Sequence, residues 1–277
     1  MASTVVITGA SQGIGKAIAQ KFAGEGYNVV LSARQSDRLE AVTQDLKTSG
    51  YEALAISTDV KDPEQVKNLI QRAIAHYGAI DVLINNAGIY LSGPVEEFSL
   101  DDWHQAIDTN LWGYVHTIHA ILPHLLERGK GTIVNLGSIG GKVPVPYLVP
   151  YTTTKFAVTG LTQALQAELS VKGIQVCGIY PNLIKTDFLE RAIFRGKDAE
   201  DERDRRRQVE QLLEVPFVEK PEDVVKAVWE AVTQNRDEVV VGSAKISLAS
   251  HNFLPGIVQW MMRKAFRNKD QDQPIAS

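Results

Sequence analysis

Seven short runs, TVVITG, NVVLSA, EALAIST, DVLINNA, GTIVNLGS, IQVCGIYP and EVVVGS, are apolar nearly throughout and are separated by longer segments of helical period. A strand with one wet face alternates apolar and polar residues, so runs without that alternation predict strands buried on both faces. Strands alternating with helices predict a parallel sheet covered by those helices. The intervening segments carry the helical signal. Ile14, Ile18 and Phe22 repeat every four residues, as do Leu161, Leu165 and Leu169. DPEQVKNLIQRAIAHYG opens with Asp62 as a cap and Pro63 at the first helical position, and it stops at Gly78. No internal repeat occurs, and no linker rich in Gly, Ser or Pro precedes about residue 268. One α/β domain over residues 1–250 is therefore expected from the 277-residue chain.

Directly after the first run comes TGASQGIGKAIAQKF, with Gly9, Gly13 and Gly15 in a strand-to-helix turn. Glycines there permit positive φ and close backbone approach, and the helix that follows offers free N–H groups and a positive dipole end to a phosphate. The spacing is Gly-x-x-x-Gly-x-Gly rather than Gly-x-Gly-x-x-Gly, and a plain tight turn is the alternative. Its position between the first strand and an amphipathic helix favours dinucleotide binding.

A second pattern lies in PYTTTKFAVTGL, where Tyr151 and Lys155 stand four apart at the start of a helical segment and so project from one face. A free phenol has a pKa near ~10, which makes it a poor base at neutral pH. A unit charge at ~4 Å in an effective dielectric of ~20 is worth about 4 kcal/mol, enough to lower that pKa by two to three units. The same spacing also arises by chance on solvated helices.

TGASQGIG, the DV of Asp59 and Val60, NNAG at 85–88, Asn110 in DTNLWG, Ser138 in NLGSIGG and YTTTK together resemble, in order and spacing, the short-chain dehydrogenase/reductase family over residues 3 to about 187. The resemblance implies a single-domain, Rossmann-type, doubly wound seven-stranded parallel sheet with helices on both faces. It implies an enzyme, usually a homodimer or homotetramer, that moves a hydride between NAD(P) and an alcohol or carbonyl. In that scheme Tyr151 is the general acid/base, Lys155 holds the nicotinamide ribose and lowers the tyrosine pKa, Ser138 orients the substrate oxygen, and Asn110 supports a water relay. The implied cofactor site comprises Gly9, Ser11, Gly13, Ile14, Gly15, Arg34, Asp59, Val60, Asn86, Ala87, Gly88, Pro181 and Thr186, together with Tyr151 and Lys155. Asp59 would accept from the adenine amino group, and Thr186 would contact the carboxamide. One departure stands out. After the sixth strand the chain reads YPNLIKTDF, so Asn182 replaces the family's glycine, and a positive φ is expected at this asparagine.

Cofactor choice is argued at the end of the second strand, where NAD enzymes commonly place an acid for the ribose 2′-hydroxyl. Here the chain has Ala33 and Arg34, with no acid before Asp37. Arg34 offers a planar fork for a 2′-phosphate, Ser11 and Arg38 can assist, and NADP(H) is favoured over NAD(H). An NAD-preferring alcohol dehydrogenase and a non-catalytic dinucleotide-binding protein on the same fold are the alternatives. GGKVPVPYLVP and FLERAIF favour a medium-sized hydrophobic carbonyl or alcohol as substrate.

Other features narrow the field. A net charge of −4 and a pI near 5.9 disfavour nucleic acid as a partner. The single Cys177 excludes an internal disulfide and reads as a small buried residue. MASTVVITGA lacks the basic and long apolar regions of a signal peptide, which makes a cytoplasmic protein the expectation. His116, His119 and His124 lack an accompanying carboxylate or cysteine cluster, so no metal is expected. Dense charge from Arg195 to Glu210 reads as a solvated helix with mixed-sign pairs or as part of a substrate lid at about 187–218. Residues 251–268 form an apolar stripe followed by basic residues, expected to be a packing helix or a membrane-surface helix, with a disordered tail at 269–277.

Overall fold

All seven apolar runs become strands of one sheet. The computed structural model describes residues 2–185, 187–214, 218–253, 256 and 260. Among these the strands in chain order are Thr4–Thr8 (β1), Asn28–Ala33 (β2), Ala53–Ser57 (β3), Val82–Asn85 (β4), Leu91–Ser92 (β5), Gly131–Leu136 (β6), Ile174–Tyr180 (β7), Ile193–Phe194 (β8) and Glu238–Val240 (β9). The helices are Gly13–Gly24 (α1), Ser36–Thr48 (α2), Pro63–Tyr77 (α3), Leu100–Ile107 (α4), Gly113–Arg128 (α5), Val149–Leu169 (α6), Ala199–Leu213 (α7), Pro221–Thr233 (α8) and Ala244–Phe253 (α9).

The large sheet is parallel throughout and runs β3-β2-β1-β4-β6-β7-β9, while β5 and β8 pair apart from it. The chain winds outward from β1 to β3, crosses back to β4 and winds outward the other way. The expected doubly wound Rossmann-type sheet is therefore present, with its reversal between β1 and β4.

Both faces of the sheet are covered, which accounts for the missing alternation. Val5, Ile7, Val29, Leu31 and Ile84 point to one side, where Ile18 and Phe22 of α1, Leu39 of α2 and Val224 and Val228 of α8 close the core. Val6, Val30 and Leu83 point to the other, against Leu69 of α3, Ile118 and Ile121 of α5 and Val158 of α6. Cys177 lies in the first layer, fully buried and free, with its thiol pushed up to about 12 by burial.

Polar side chains enter this core near the C-terminal ends of the strands. Asn85 donates to Asn135 Oδ1 at 3.0 Å, Asn135 donates to Thr162 Oγ1 at 3.0 Å, and Thr117 donates to Asn85 Oδ1 at 2.6 Å. This ladder ties α5 and α6 to adjacent strands and sets where the first turn of α6 falls over the sheet edge.

Local signals read from the chain recur in the structure. Asp62 accepts from Glu64 N and Gln65 N, Pro63 opens α3, and Gly78 ends it at φ +82°. In α7 the charges pair with opposite sign, Arg205 with Asp201 and Arg206 with Glu210, while Val209 and Leu213 bury against Leu189 and Phe194. No helix among the described residues is long and apolar enough to cross a membrane. Most of the expected helix at 251–268, the whole tail at 269–277, and Thr186 lie outside the described residues.

Candidate active site

The reversal between β1 and β4 opens a cleft of about 320 Å³ at the C-terminal edge of the sheet. Its floor is the glycine turn, held by side chains from the neighbouring strand end. Thr8 Oγ1 accepts from Asn86 N at 3.0 Å and Ala87 N at 3.1 Å, and Asn86 Nδ2 donates to Thr8 O at 2.9 Å. At Gly9, φ is +69° and a Cβ would lie 2.9 Å from Ala87 Cα. A Cβ on Gly15 would lie 2.3 Å from Gly9 O, so the turn closes only without side chains at these two positions. Helix α1 then starts with no side-chain cap from Gln12 and no acid in its first turn. Free N–H donors and a positive dipole end without a carboxylate beside them fit a pyrophosphate. Gly9, Gly13, Ile14 and Gly15 line the cleft with Arg34, Asp59, Val60, Asn86, Ala87, Gly88 and Pro181.

The same cleft receives Ser138, Tyr151 and Lys155. Ser138 follows β6, and its Oγ accepts from Gly140 N at 3.1 Å. Tyr151 stands in the first turn of α6 and Lys155 one turn later, so the four-residue spacing does place them on a common face. Lys155 is 5 % exposed, donates to Leu136 O at 2.8 Å, and lies 5.8 Å from the centre of the Tyr151 ring and 5.6 Å from that of Tyr114. Burial pushes its pKa down to about 8.

The expectation that Lys155 lowers the Tyr151 pKa is not met. Burial pushes the phenol up, and the opposing influence is a hydrogen bond with Ser138. The physical reason is geometric: the ammonium is hydrogen-bonded to a backbone carbonyl and lies toward the ring, while desolvation acts on the hydroxyl directly.

Asn110 also differs from its expected surroundings. It occupies a π-helical turn, Asp108–Trp112, between α4 and α5 and is fully buried. Its Oδ1 accepts from Ile89 N at 2.8 Å, and its Nδ2 donates to Ile89 O at 3.0 Å and Thr154 Oγ1 at 3.1 Å. Asn110 thus clamps the loop after β4 to α6 and stands behind the cleft lining. Asn182 lines the cleft but does not take positive φ; among the described residues the non-glycine positions that do are Tyr147 and Asn235. Its Nδ2 donates instead to Ser243 Oγ at 3.0 Å, and Ser243 donates from both N and Oγ to Glu219 at 2.6 Å.

Two further residues enter the site. Tyr90 packs 5.3 Å from the rings of both Tyr151 and Phe188, and burial pushes its phenol well above the usual range. Arg191 lines the cleft, and its Nη2 donates to Ser11 Oγ at 3.2 Å and Gln12 Oε1 at 3.1 Å. Ser11 itself is buried behind that guanidinium. Tyr90 stands two residues after NNAG and could have been suspected from that neighbourhood. Arg191 carries no sequence signal, since it sits in the largely apolar FLERAIF.

Residues 3–194 match the family described as short chain dehydrogenase. A 3-oxoacyl-(acyl-carrier-protein) reductase of Staphylococcus aureus is 37% identical over 191 residues, covering 69% of this chain and 78% of that protein. Among solved structures, a short-chain dehydrogenase/reductase of Burkholderia phymatum in complex with NAD superposes with a TM-score of 0.82 at 26% identity, over 89% of this chain and 91% of that one. An alcohol dehydrogenase of Thermococcus sibiricus complexed with 5-hydroxy-NADP gives a TM-score of 0.73 at 28% identity, over 88% and 97% of the two chains.

The clamp at Asn110 has a measurable consequence. Asn110→Ala removes the partner of the Ile89 backbone pair, while the Thr154 hydroxyl keeps its bond to Tyr151 O, and it is expected to lower unfolding stability by about 1–3 kcal/mol in urea titrations. Parental stability in this variant would show that the side chain is not a clamp.

Proposed function

The chain belongs to the short-chain dehydrogenase family and is an NAD(P)-binding oxidoreductase acting on CH–OH groups; within that class, we propose that it is an NADP(H)-dependent reductase of medium-sized hydrophobic carbonyls. The observation that carries this reading is the meeting of Ser138, Tyr151 and Lys155 with the glycine turn in one cleft. The non-catalytic alternative has no support from a site so furnished.

When bound, the nicotinamide supplies the hydride for reduction or accepts it for oxidation. Reduction also requires a proton for the oxygen that is becoming an alkoxide. The phenol that burial keeps protonated is the acid for that step, so Tyr151 delivers its proton to the substrate oxygen. Ser138 Oγ shares a hydrogen bond with Tyr151 and is fixed by Gly140 N–H, which suits it to orient the same oxygen. Lys155, held at the cleft by the Leu136 carbonyl, would offer its ammonium to the ribose hydroxyls. Asp59, at the other end of the cleft, serves the adenine.

Substrate class follows from the walls. Ile89, Tyr90, Leu148, Leu183 and Phe188 surround the Tyr151 end with apolar surface, and such surface selects a hydrophobic carbonyl over a charged metabolite. The similar S. aureus protein, a 3-oxoacyl reductase, supports a carbonyl borne on an acyl chain. The family match ends at residue 194, before α7, so the proposed cover at 187–218 shapes selectivity in this chain's own way. For the cofactor, Arg34 is exposed at the cleft directly after β2 and no acid shares its position.

Three outcomes are expected. Tyr151→Phe lowers turnover by ~100-fold or more in NADPH oxidation assays on a carbonyl panel, with NADPH affinity within a few-fold of the parent; activity above a tenth of the parent contradicts the acid role. A depressed pKa means that Lys155 is charged below about pH 8 and neutral above it, while Tyr151 stays protonated. NADPH affinity and kcat/KM should therefore hold from pH 6 to 7.5 and fall as pH rises through about 8, and a flat profile to pH 9.5 would remove Lys155 from this role. Arg34→Asp removes a charge-assisted contact worth roughly 1.5–3 kcal/mol and adds repulsion, so NADPH affinity drops at least ten-fold while NADH affinity holds or improves. Equal losses for both nucleotides in titration would overturn the NADP(H) assignment.

A further inference from the structure

Arg191 ends the short 3-10 helix Asp187–Arg191 between β7 and β8, the same segment that sets Phe188 against Tyr90 at the substrate end of the cleft. Its guanidinium points to the other end. Besides Ser11 and Gln12 it donates to Gln35 Oε1 at 3.2 Å, and so spans from the glycine turn to the residue after Arg34. The oxygens it meets there are neutral, and Glu190, the carboxylate whose charge acts on it, is paired with Arg38. Arg38 joins the group from α2 by donating to Gln12 Oε1 and pairing with Glu190 at 2.8 Å.

Three guanidiniums, Arg34, Arg38 and Arg191, thus come near one another at this end of the cleft, and Glu190 pairs with Arg38. Burial lowers the pKa of Arg191, and repulsion from Arg34 and Arg38 lowers it further. The glycine turn brings no cation of its own; the next one along α1, Lys16, lies 4.0 Å from Asp45. Gathering like charges around a half-buried arginine is unfavourable unless an anion is recognised there. A phosphate monoester carries nearly two charges at neutral pH and accepts the paired N–H groups of a guanidinium fork.

We propose that Arg191 is a second ligand of the cofactor's 2′-phosphate, reaching it from the segment that borders the substrate. This rests on the NADP(H) reading above and adds to it a specificity residue outside the end of β2. It also links the two ends of the cleft: a 2′-phosphate that holds Arg191 holds Phe188, three residues away, against Tyr90. The substrate KM should therefore be lower with NADPH than with NADH.

The test is titration calorimetry of NADPH and NADH into the parent, Arg34→Ala, Arg191→Gln and Arg191→Lys, with carbonyl KM measured for each cofactor. Arg191→Gln is expected to raise the NADPH Kd about ten-fold, to leave the NADH Kd within about two-fold, and to abolish the KM difference between cofactors. Arg191→Lys keeps the charge without the fork and should fall between the parent and Arg191→Gln for NADPH alone. An unchanged NADPH Kd in Arg191→Gln, or equal losses for NADPH and NADH in both Arg191 variants, overturns the proposal. A parent that binds NADH as tightly as NADPH defeats the underlying cofactor reading before any variant is measured. A parent that prefers NADPH, loses the preference in Arg34→Ala and keeps it in Arg191→Gln defeats Arg191 alone.

Discussion

A parallel sheet buried on both faces has nowhere to do chemistry except at its ends. The inner strands of this sheet spend their backbone groups on neighbouring strands and their side chains on two helical layers, so polar function is expelled to the C-terminal edge. The reversal of winding between β1 and β4 separates the connections that would otherwise fill that edge, and the cleft forms there. Among the polar residues of the sheet, Thr8, Asn85 and Asn135 lie at or near strand ends and bond to groups that position the site.

From that constraint the site is assembled by contacts that leave little slack. Gly9 and Gly15 approach each other and the Asn86–Ala87 backbone more closely than any side chain permits, which brings the uncapped start of α1 to the cleft. Asn110 fastens the loop after β4 to α6, and the Asn85–Asn135–Thr162 ladder fastens α6 to the sheet. Tyr151 and Lys155 are then placed by a helix that cannot slide. Burying Lys155 opposes its charge, as its depressed pKa records, and the Leu136 carbonyl offsets part of that cost. A fixed distance between acid and cation is thus obtained at the expense of local stability.

The far side of the cleft is held differently. Arg195 makes a two-point ion pair with Asp102, at 2.6 and 2.9 Å; burial alone would push that carboxyl up, and the hydrogen bonds of Arg195 and Ser99 hold it below its ordinary range. Gly93 admits the Arg195 backbone where a Cβ would lie 2.5 Å from its carbonyl oxygen. Glu219, through Ser243, holds the Asn182 side chain and joins the loops after β7 and β9. The segment from 187 to 195 therefore hangs between an anchored strand, β8, and the glycine turn that Arg191 touches.

Much of this was legible in the chain itself. Strands appeared as apolar runs because their burial is two-sided, and α3 declared its limits through Asp62, Pro63 and Gly78, since caps and turns are local chemistry. Gly9, Tyr151 and Lys155 were readable for the same reason: a turn or one helical turn sets their relation. Tertiary structure alone decided the rest. Lys155 meets the Leu136 carbonyl from nineteen residues away, so the direction of the Tyr151 shift depended on burial that no spacing reports. Asn182 took its conformation from Ser243, sixty-one residues on. Arg191 reached Ser11 across 180 residues, and its place beside Arg34 comes from how the chain crosses the cleft, a matter of long-range packing that leaves no mark on neighbouring residues.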